Sequence, residues 1–312
     1  MKLAVVMNSK AGAIVGSSPD QTARRIEQLF ADAGSEAQVV VVEGPSLEEA
    51  IRRFGDSDVD AVIVAGGDGS VDTAAKAMAG SGKPMGVLPM GTFNLFARDL
   101  QVPLKLEEAV PALVAGHVRQ VDTAEVNGKL FLCNSVMGLM PSLVDARESI
   151  RGKSLFHRLG DMALAVGRLV RRYPRLTITV DVGGGPKTIT VRSVAVTCNP
   201  YEDKLGALPS RPRLDTGQLA LYQVGHRGRL GMLWLVVSLV VGHWKQSTAI
   251  SEWRATELTI AARGASVQVV NDGELLSLKL PLHYRIRPRE LAVLMPARRE
   301  PAEAQTQDTK PR

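Results

Sequence analysis

Residues 61–70, Ala-Val-Ile-Val-Ala-Gly-Gly-Asp-Gly-Ser, constrain the fold of this chain more than any other stretch. Five apolar residues run into three glycines around a single Asp, and a helical pattern follows from Val71 to Ala79. A buried strand, a tight loop and a helix N-terminus in that order call for a covered sheet with the helix packed back on it. The same order binds anions. Glycines let backbone approach a phosphate with no Cβ in the way, and the first N–H groups of the helix point outward without partners. Asp68 suits such a loop only if a divalent cation stands between its carboxylate and the phosphates. A Mg-nucleotide loop and an ordinary strand-to-helix turn both fit these residues.

The surroundings extend the pattern. From residue 1 to about 123, strands alternate with helices. Lys2–Met7 is an apolar run ending in the polar loop Asn8-Ser9-Lys10-Ala11-Gly12. It is too short for a signal peptide and reads as a first strand. Ser18-Pro19-Asp20-Gln21 announces a helix with a capping box, closed by Gly34. Val39–Val42, a continuous β-branched run, suits a strand covered on both faces, and Ser46-Leu47-Glu48-Glu49 reads as a second capping box. Met85–Pro89 is the next strand after the glycine motif. This alternation predicts a parallel sheet, whose ligands bind beyond the carboxyl ends of its strands. The loops after Met7, Ala65 and Leu88 all leave that edge.

Beyond 123 the texture changes. Lys129–Val136, Leu176–Val182, Thr188–Thr197, Leu219–Val224, Glu257–Ala262, Ser266–Val270 and His283–Ile286 are short β-rich runs with turn signals between them. They predict a mostly antiparallel domain, with Gly183-Gly184-Gly185-Pro186 as a hairpin turn. The expected organisation is a nucleotide-binding α/β domain over 1–123, a β-rich substrate domain over 124–287, a return of 288–297 to the first domain, and a disordered tail over 298–312. Two helical segments interrupt the second domain. Leu155 to Tyr173 has an apolar face and lies among Arg147, Arg151, Lys153, Arg158, Arg168, Arg171, Arg172 and Arg175. That cluster is either a solvated face or a surface for anionic lipid headgroups. Leu230–Val241 carries no charge, yet its length falls well short of a hydrocarbon core, so it reads as a buried or interfacial helix.

Composition bounds the partners. A net charge of +6 permits nucleotide, nucleic acid or membrane surface, while 4% aromatic residues disfavour stacking on single-stranded nucleic acid, and no nucleic-acid partner is expected. Cys133 and Cys198 form no CxxC pattern, which gives neither a zinc site nor a disulfide framework and fits a reducing compartment.

Two further motifs carry chemistry. Pro89-Met90-Gly91-Thr92-Phe93-Asn94 offers a backbone N–H and a hydroxyl to a phosphate or ribose, with Asn94 equally able to cap the turn. Asn271-Asp272-Gly273-Glu274 is a hairpin turn by composition. Across a cleft from the glycine motif, one of its carboxylates would be placed to take a proton from an attacking hydroxyl.

Together, Gly66-Gly67-Asp68-Gly69-Ser70, Pro89-Met90-Gly91-Thr92-Phe93-Asn94-Leu95-Phe96-Ala97-Arg98 and Asp272-Gly273-Glu274 resemble the diacylglycerol kinase catalytic-domain family, which contains soluble bacterial lipid kinases and the sphingosine and ceramide kinases. The resemblance runs from the Asn8–Gly12 loop to Leu291–Pro296. It implies a two-domain kinase, an α/β domain with a parallel sheet and a mostly antiparallel β-sandwich domain, with ATP and Mg²⁺ in the cleft between them. Asn8 and Gly12 would lie in the first nucleotide loop, and Gly66, Gly67, Asp68, Gly69 and Ser70 would hold the phosphates, with Asp68 near Mg²⁺. Gly91, Thr92 and Asn94 would be further nucleotide contacts, and Asp272 the proton acceptor with Glu274 beside it.

Three departures stand out. Ser70 replaces the family's usual Thr. The family usually has an acidic or amide residue and Glu near Asp72-Thr73, so the helix after the loop has lost a carboxylate. The turn that carries a structural Mg²⁺ in soluble bacterial members reads Leu214-Asp215-Thr216-Gly217 here, which leaves Asp215 as its only carboxylate. The expected activity is ATP-dependent phosphorylation of a membrane-lipid hydroxyl, by default that of diacylglycerol, with phosphatidylglycerol, a sphingoid lipid or ceramide as alternatives. Such an enzyme would be cytoplasmic, would touch the inner, anionic face of the membrane, and admits a homodimer. A degenerate lipid-binding member, an NAD kinase and a phosphofructokinase-type enzyme are the rival readings.

Overall fold

The computed structural model of the chain describes residues 1–12, 18–138, 176–202, 210–225 and 250–297. The Leu155–Tyr173 and Leu230–Val241 helices, the basic cluster and the 298–312 tail expected from the sequence lie outside these residues.

The first half is an α/β layer. Strands β1 (Lys2–Asn8), β2 (Glu36–Val42), β3 (Ala61–Gly66) and β4 (Met85–Pro89) run parallel in the order β4-β3-β1-β2. Helix α1 (Pro19–Asp32) opens with the expected box: Ser18 Oγ accepts the Gln21 amide, and the Gln21 side chain accepts the Ser18 amide. It buries Ile26, Leu29 and Phe30. Helix α2 (Leu47–Gly55) lacks the second expected box, because a 3₁₀ turn over Gly44–Ser46 already holds Ser46 in helical conformation and its side chain makes no cap bond. β2 is an edge strand and half-buried rather than covered on both faces, since β1 is its only strand partner among the described residues. The central strand β3 is wholly buried, as its unbroken apolar run requires.

Helix α3 (Asp68–Met78) follows β3, short α4 (Leu95–Asp99) follows β4, and α5 (Leu106–Val114) closes the layer. The second half holds β5 (His117–Val126), β6 (Lys129–Phe131), β7 (Asn134–Met137), β8 (Leu176–Asp181), β9 (Lys187–Cys198), β10 (Leu219–Gly225), β11 (Ile250–Ala255), β12 (Glu257–Ala262), β13 (Ser266–Asn271), β14 (Glu274–Lys279) and β15 (Leu282–Met295). Every pairing among them is antiparallel, and the triple glycine makes the β8–β9 hairpin turn.

β15 joins the halves. Its first part pairs β12 and supplies Leu282, Tyr284 and Ile286 to the sandwich core, while its last part pairs β4 through Val293 and supplies Leu291, Val293 and Leu294 to the α/β core. β5 runs antiparallel to it along both parts, with an irregularity between Arg287 and Leu291. One connected sheet therefore passes from one core to the other among the described residues. The carboxyl edge of β1, β3 and β4 is thereby held beside the turn between β13 and β14.

Candidate active site

Three loops meet at that edge, and the glycine motif is tighter than a free loop. Gly66 ends β3, Gly67 alone makes the turn, and Asp68-Gly69-Ser70 is already the first turn of α3, so the helix begins three residues before the apolar periodicity suggested. Asn8 Nδ2 donates to Ser70 Oγ at 2.9 Å, fastening the end of β1 to this turn. A Cβ on Gly91 would stand 2.6 Å from the Gly67 Cα, so the two glycine loops lie back to back and packing alone demands glycine at that crossing. Gly69 differs. A Cβ there would meet nothing within 4 Å, and its amide, like that of Asp68, lies in the first turn where helical acceptors are lacking. Gly12 lies beside the Met90 carbonyl, which brings the first loop to the same place.

The Gly91–Asn94 loop is held by its own atoms. Asn94, at φ +51°, accepts the Gly91 amide through Oδ1 and donates to the Gly91 carbonyl through Nδ2, both at 2.8 Å. The expected nucleotide contacts of Asn94 and Gly91 change accordingly: the side-chain amide and the Gly91 N–H are already paired, and these residues shape the loop. Thr92 is exposed and is the hydroxyl this loop presents outward. The backbone amides of Leu95 and Asn94 donate to the two Asp68 oxygens at 2.6 and 3.1 Å, which locks this loop to the glycine motif.

Asp272 approaches from the second half. It sits at φ +45° in the β13–β14 turn, and its carboxylate reaches back into a break in the expected Lys129–Val136 strand. The run divides into β6 and β7 because the Leu132, Cys133 and Asn134 amides turn toward Asp272, donating at 2.5, 2.8 and 2.8 Å. A carboxylate offers about four lone-pair sites, so one on Oδ2 stays open. Burial pushes the Asp272 carboxyl up while the three amides pull it back, and burial prevails. The turn backbone leaves the residue half-exposed, but the carboxylate itself faces inward.

Asp68, Asp72 and Asp272 line one small cavity of about 20 Å³, walled by Leu95, Phe96 and Leu132. Asp72, which the sequence marks only as part of the Asp72-Thr73 departure and not as a site residue, stands four residues after Asp68 and therefore on the same helix face. Its Oδ2 pairs with Lys76 at 2.7 Å, while its Oδ1 is buried with no partner. Burial, then the Asp272 charge, push the Asp72 carboxyl up to about 6 against the pull of Lys76. Lys76 also reaches Glu274 at 3.2 Å, so Glu274 braces the cleft from its rim. A larger recess of about 490 Å³ beside Glu125, Asp181 and His283 contains none of these groups.

The donor set fits a magnesium ion that arrives with a nucleotide. Among the described residues no three His, Cys, Asp or Glu side chains converge to chelate an ion by themselves. Mg²⁺ typically takes one or two carboxylates and completes its shell with phosphate oxygens and water, and Asp72 Oδ1, which has no hydrogen-bond partner and belongs to the cavity that Asp68 also lines, offers it an unused lone pair. The Asp215 turn does not fit a metal. Arg119 donates to Asp215 Oδ2 at 2.7 Å and holds its carboxyl below the usual range, and Thr216 is bound to Asn199 Oδ1 through both its amide and its hydroxyl. At the turn where the resembling soluble bacterial kinases carry a structural Mg²⁺, a guanidinium therefore stands against Asp215 Oδ2, while Asp215 Oδ1 is buried without a hydrogen-bond partner.

A parallel α/β unit is continuous with an antiparallel β-sandwich, and a glycine-turned helix terminus shares a cavity with a buried carboxylate from the second half, an arrangement that places the chain in the class of two-domain cleft proteins. Residues 2–126 match the diacylglycerol kinase catalytic domain, and residues 144–295 match the YegS C-terminal NAD kinase beta sandwich-like domain. Each match covers less than half of the chain, and together they make it similar to the diacylglycerol kinases and YegS-type lipid kinases. A Salmonella newport protein described as "Probable lipid kinase YegS" is 31% identical over 130 residues, 39% of this chain and 42% of that protein. A "Diacylglycerol kinase" of Staphylococcus saprophyticus is 33% identical over 104 residues, 32% of this chain and 34% of that protein. The chain thus matches about two-fifths or less of the length of these relatives. The crystal structure of a diacylglycerol kinase from Bacillus anthracis str. Sterne shares the fold, at TM-score 0.70 and 20% identity over 94% of this chain and 96% of that one.

Proposed function

We propose that the chain is an ATP-dependent lipid kinase that transfers the γ-phosphoryl group to a hydroxyl of a membrane lipid, diacylglycerol by default. The observation that carries this reading is the cavity shared by Asp68, at the phosphate-facing helix terminus, and Asp272, whose carboxylate keeps one open lone pair. The amides of Asp68 and Gly69 and the Thr92 hydroxyl receive phosphate oxygens, with Ser70 holding the turn through Asn8. Magnesium bound with the nucleotide supplies charge neutralisation at the transferring phosphoryl, leaving the protein mainly the work of positioning. Asp68 would help hold that ion. Asp272 Oδ2 accepts the proton of the lipid hydroxyl as it attacks, and Lys76 with Glu274 holds the two walls of the cleft together.

Membrane contact belongs to the same proposal. The net charge of +6 and the arginine-rich 147–175 stretch favour peripheral binding to an anionic, inner membrane face, so activity rises on anionic vesicles and falls with salt. Among the described residues no helix is long and apolar enough to cross a membrane. Incubation with γ-labelled ATP, Mg²⁺ and a total lipid extract tests the reading. A labelled lipid supports it and identifies the acceptor, whereas label in a soluble metabolite alone refutes it.

A further inference from the structure

Arg211, 1% exposed, is among the largest fully buried side chains, and no feature of its sequence surroundings marks it. Its Nε and Nη2 donate to Asp99 Oδ2 at 3.0 and 2.6 Å, and its backbone amide donates to Asp99 Oδ1 at 2.9 Å. Its Nη1 donates to the Leu132 and Cys198 carbonyls at 2.5 and 2.7 Å. These contacts connect the two walls of the cleft. Asp99 ends α4, whose first residue, Leu95, holds Asp68 through its amide. The Leu132 carbonyl belongs to the same peptide plane as the Cys133 N–H, which donates to Asp272 Oδ1. A chain of contacts thus runs from Asp99 through the guanidinium and one peptide group to Asp272, and a cation on the carbonyl side of a peptide strengthens the bond its N–H makes.

A buried ion pair is a weak device for stability, because desolvation offsets most of its attraction. A planar guanidinium is, however, well suited to fixing several acceptors at set angles. We propose that Arg211 and Asp99 are positioning residues that lock the Leu132–Asn134 segment, so that its three amides hold Asp272 at a fixed place opposite Asp68. The catalytic part of this proposal rests on the lipid-kinase reading, while the structural part does not.

The test uses the full chain with Arg211→Lys, which keeps the charge and loses the fork, and the double variant Arg211→Met with Asp99→Asn, which removes the pair. Amide hydrogen exchange is followed at residues 132–134 and, as reference, in β1 and β3. kcat and KM for ATP are measured with Mg²⁺ and diacylglycerol-containing phosphatidylglycerol vesicles. The lock predicts faster exchange at 132–134 with β1 and β3 unchanged, and kcat lowered about 10- to 100-fold with KM for ATP within about twofold. Folded variants with unchanged exchange at 132–134, or with unchanged kcat, overturn it. If neither variant folds, the wild-type chain decides: protection of the 132–134 amides equal to that of β3 supports the lock, and exchange as fast as an open loop overturns it. A wild-type chain that phosphorylates no lipid refutes the kinase reading, and the exchange measurements then decide the positioning claim by themselves.

Discussion

Asn134 and Asp272 hold each other twice: the Asn134 amide donates to Asp272 Oδ1 at 2.8 Å, and the Asp272 amide donates to the Asn134 carbonyl at 2.9 Å. Asp272 is therefore a structural acceptor as well as the candidate base. In Asp272→Asn, one side-chain oxygen still serves Cys133 and Asn134, but the new NH₂ faces the Leu132 amide. An unsatisfied buried donor costs about 1–3 kcal/mol, so the thermal midpoint falls by several degrees while nucleotide binding persists. A calorimetric scan with and without ATP checks this, and an unchanged midpoint contradicts the three-amide cradle.

The glycines separate packing from ligand access. Gly91→Ala places a Cβ 2.6 Å from the Gly67 Cα and 2.9 Å from Asn94 Oδ1, so it destabilises the fold by about 1–3 kcal/mol. Gly69→Ala enters open space and stays within about 1 kcal/mol of wild type in stability. It nevertheless weakens ATP binding, because the methyl group occupies the approach to the helix terminus. Equal ATP affinity in Gly69→Ala and wild type would remove the first turn of α3 from the phosphate site.

Asp72 gives a pH signature. Its carboxyl, near 3.8 in the unfolded chain, titrates at about 6 in the folded one. The folded state binds the proton more tightly, so this stabilisation is complete below about pH 4 and is lost as pH rises through about 6. Without nucleotide or divalent ion, the stability of Asp72→Asn relative to wild type should rise as pH passes through those limits and be highest above about pH 6, on the order of 1–3 kcal/mol before the lost Lys76 contact is subtracted. Denaturant unfolding at pH 4 and pH 8 measures the difference. A difference independent of pH would place the Asp72 carboxyl at its ordinary value.

The guanidinium at the Asp215 turn predicts indifference to metal. Chelation of divalent ions in the absence of nucleotide leaves the thermal midpoint unchanged, whereas Arg119→Ala lowers stability by up to about 1 kcal/mol, because the pair is part-exposed and Arg213 Nε stays 3.6 Å from Asp215 Oδ1. A fall of several degrees on chelation alone would contradict the substitution of Arg119 for an ion.

Much of this arrangement is legible in the sequence, for identifiable reasons. The α1 box is legible because Ser18, Pro19 and Gln21 act within one turn, and β3 because a wholly apolar run has no solvent-facing alternative. The convergence of Asn8, Asp68 and Thr92 follows from parallel strands sharing a carboxyl edge. What escapes is long-range. The break at Leu132–Cys133 is imposed by a carboxylate some 140 residues later, and local β propensity reports nothing of it. The missing Ser46 cap depends on how the chain enters α2, and Arg211 reads as one more basic residue until the fold buries it against Asp99.

The central claim is that phosphate moves from ATP to a lipid hydroxyl at Asp272. The direct measurement incubates wild type and Asp272→Asn side by side with γ-labelled ATP, Mg²⁺ and diacylglycerol in anionic vesicles, and quantifies labelled lipid. The account predicts labelled phosphatidic acid from wild type and a loss of at least about 100-fold in the variant with ATP affinity retained. Comparable labelled lipid from both proteins would contradict it.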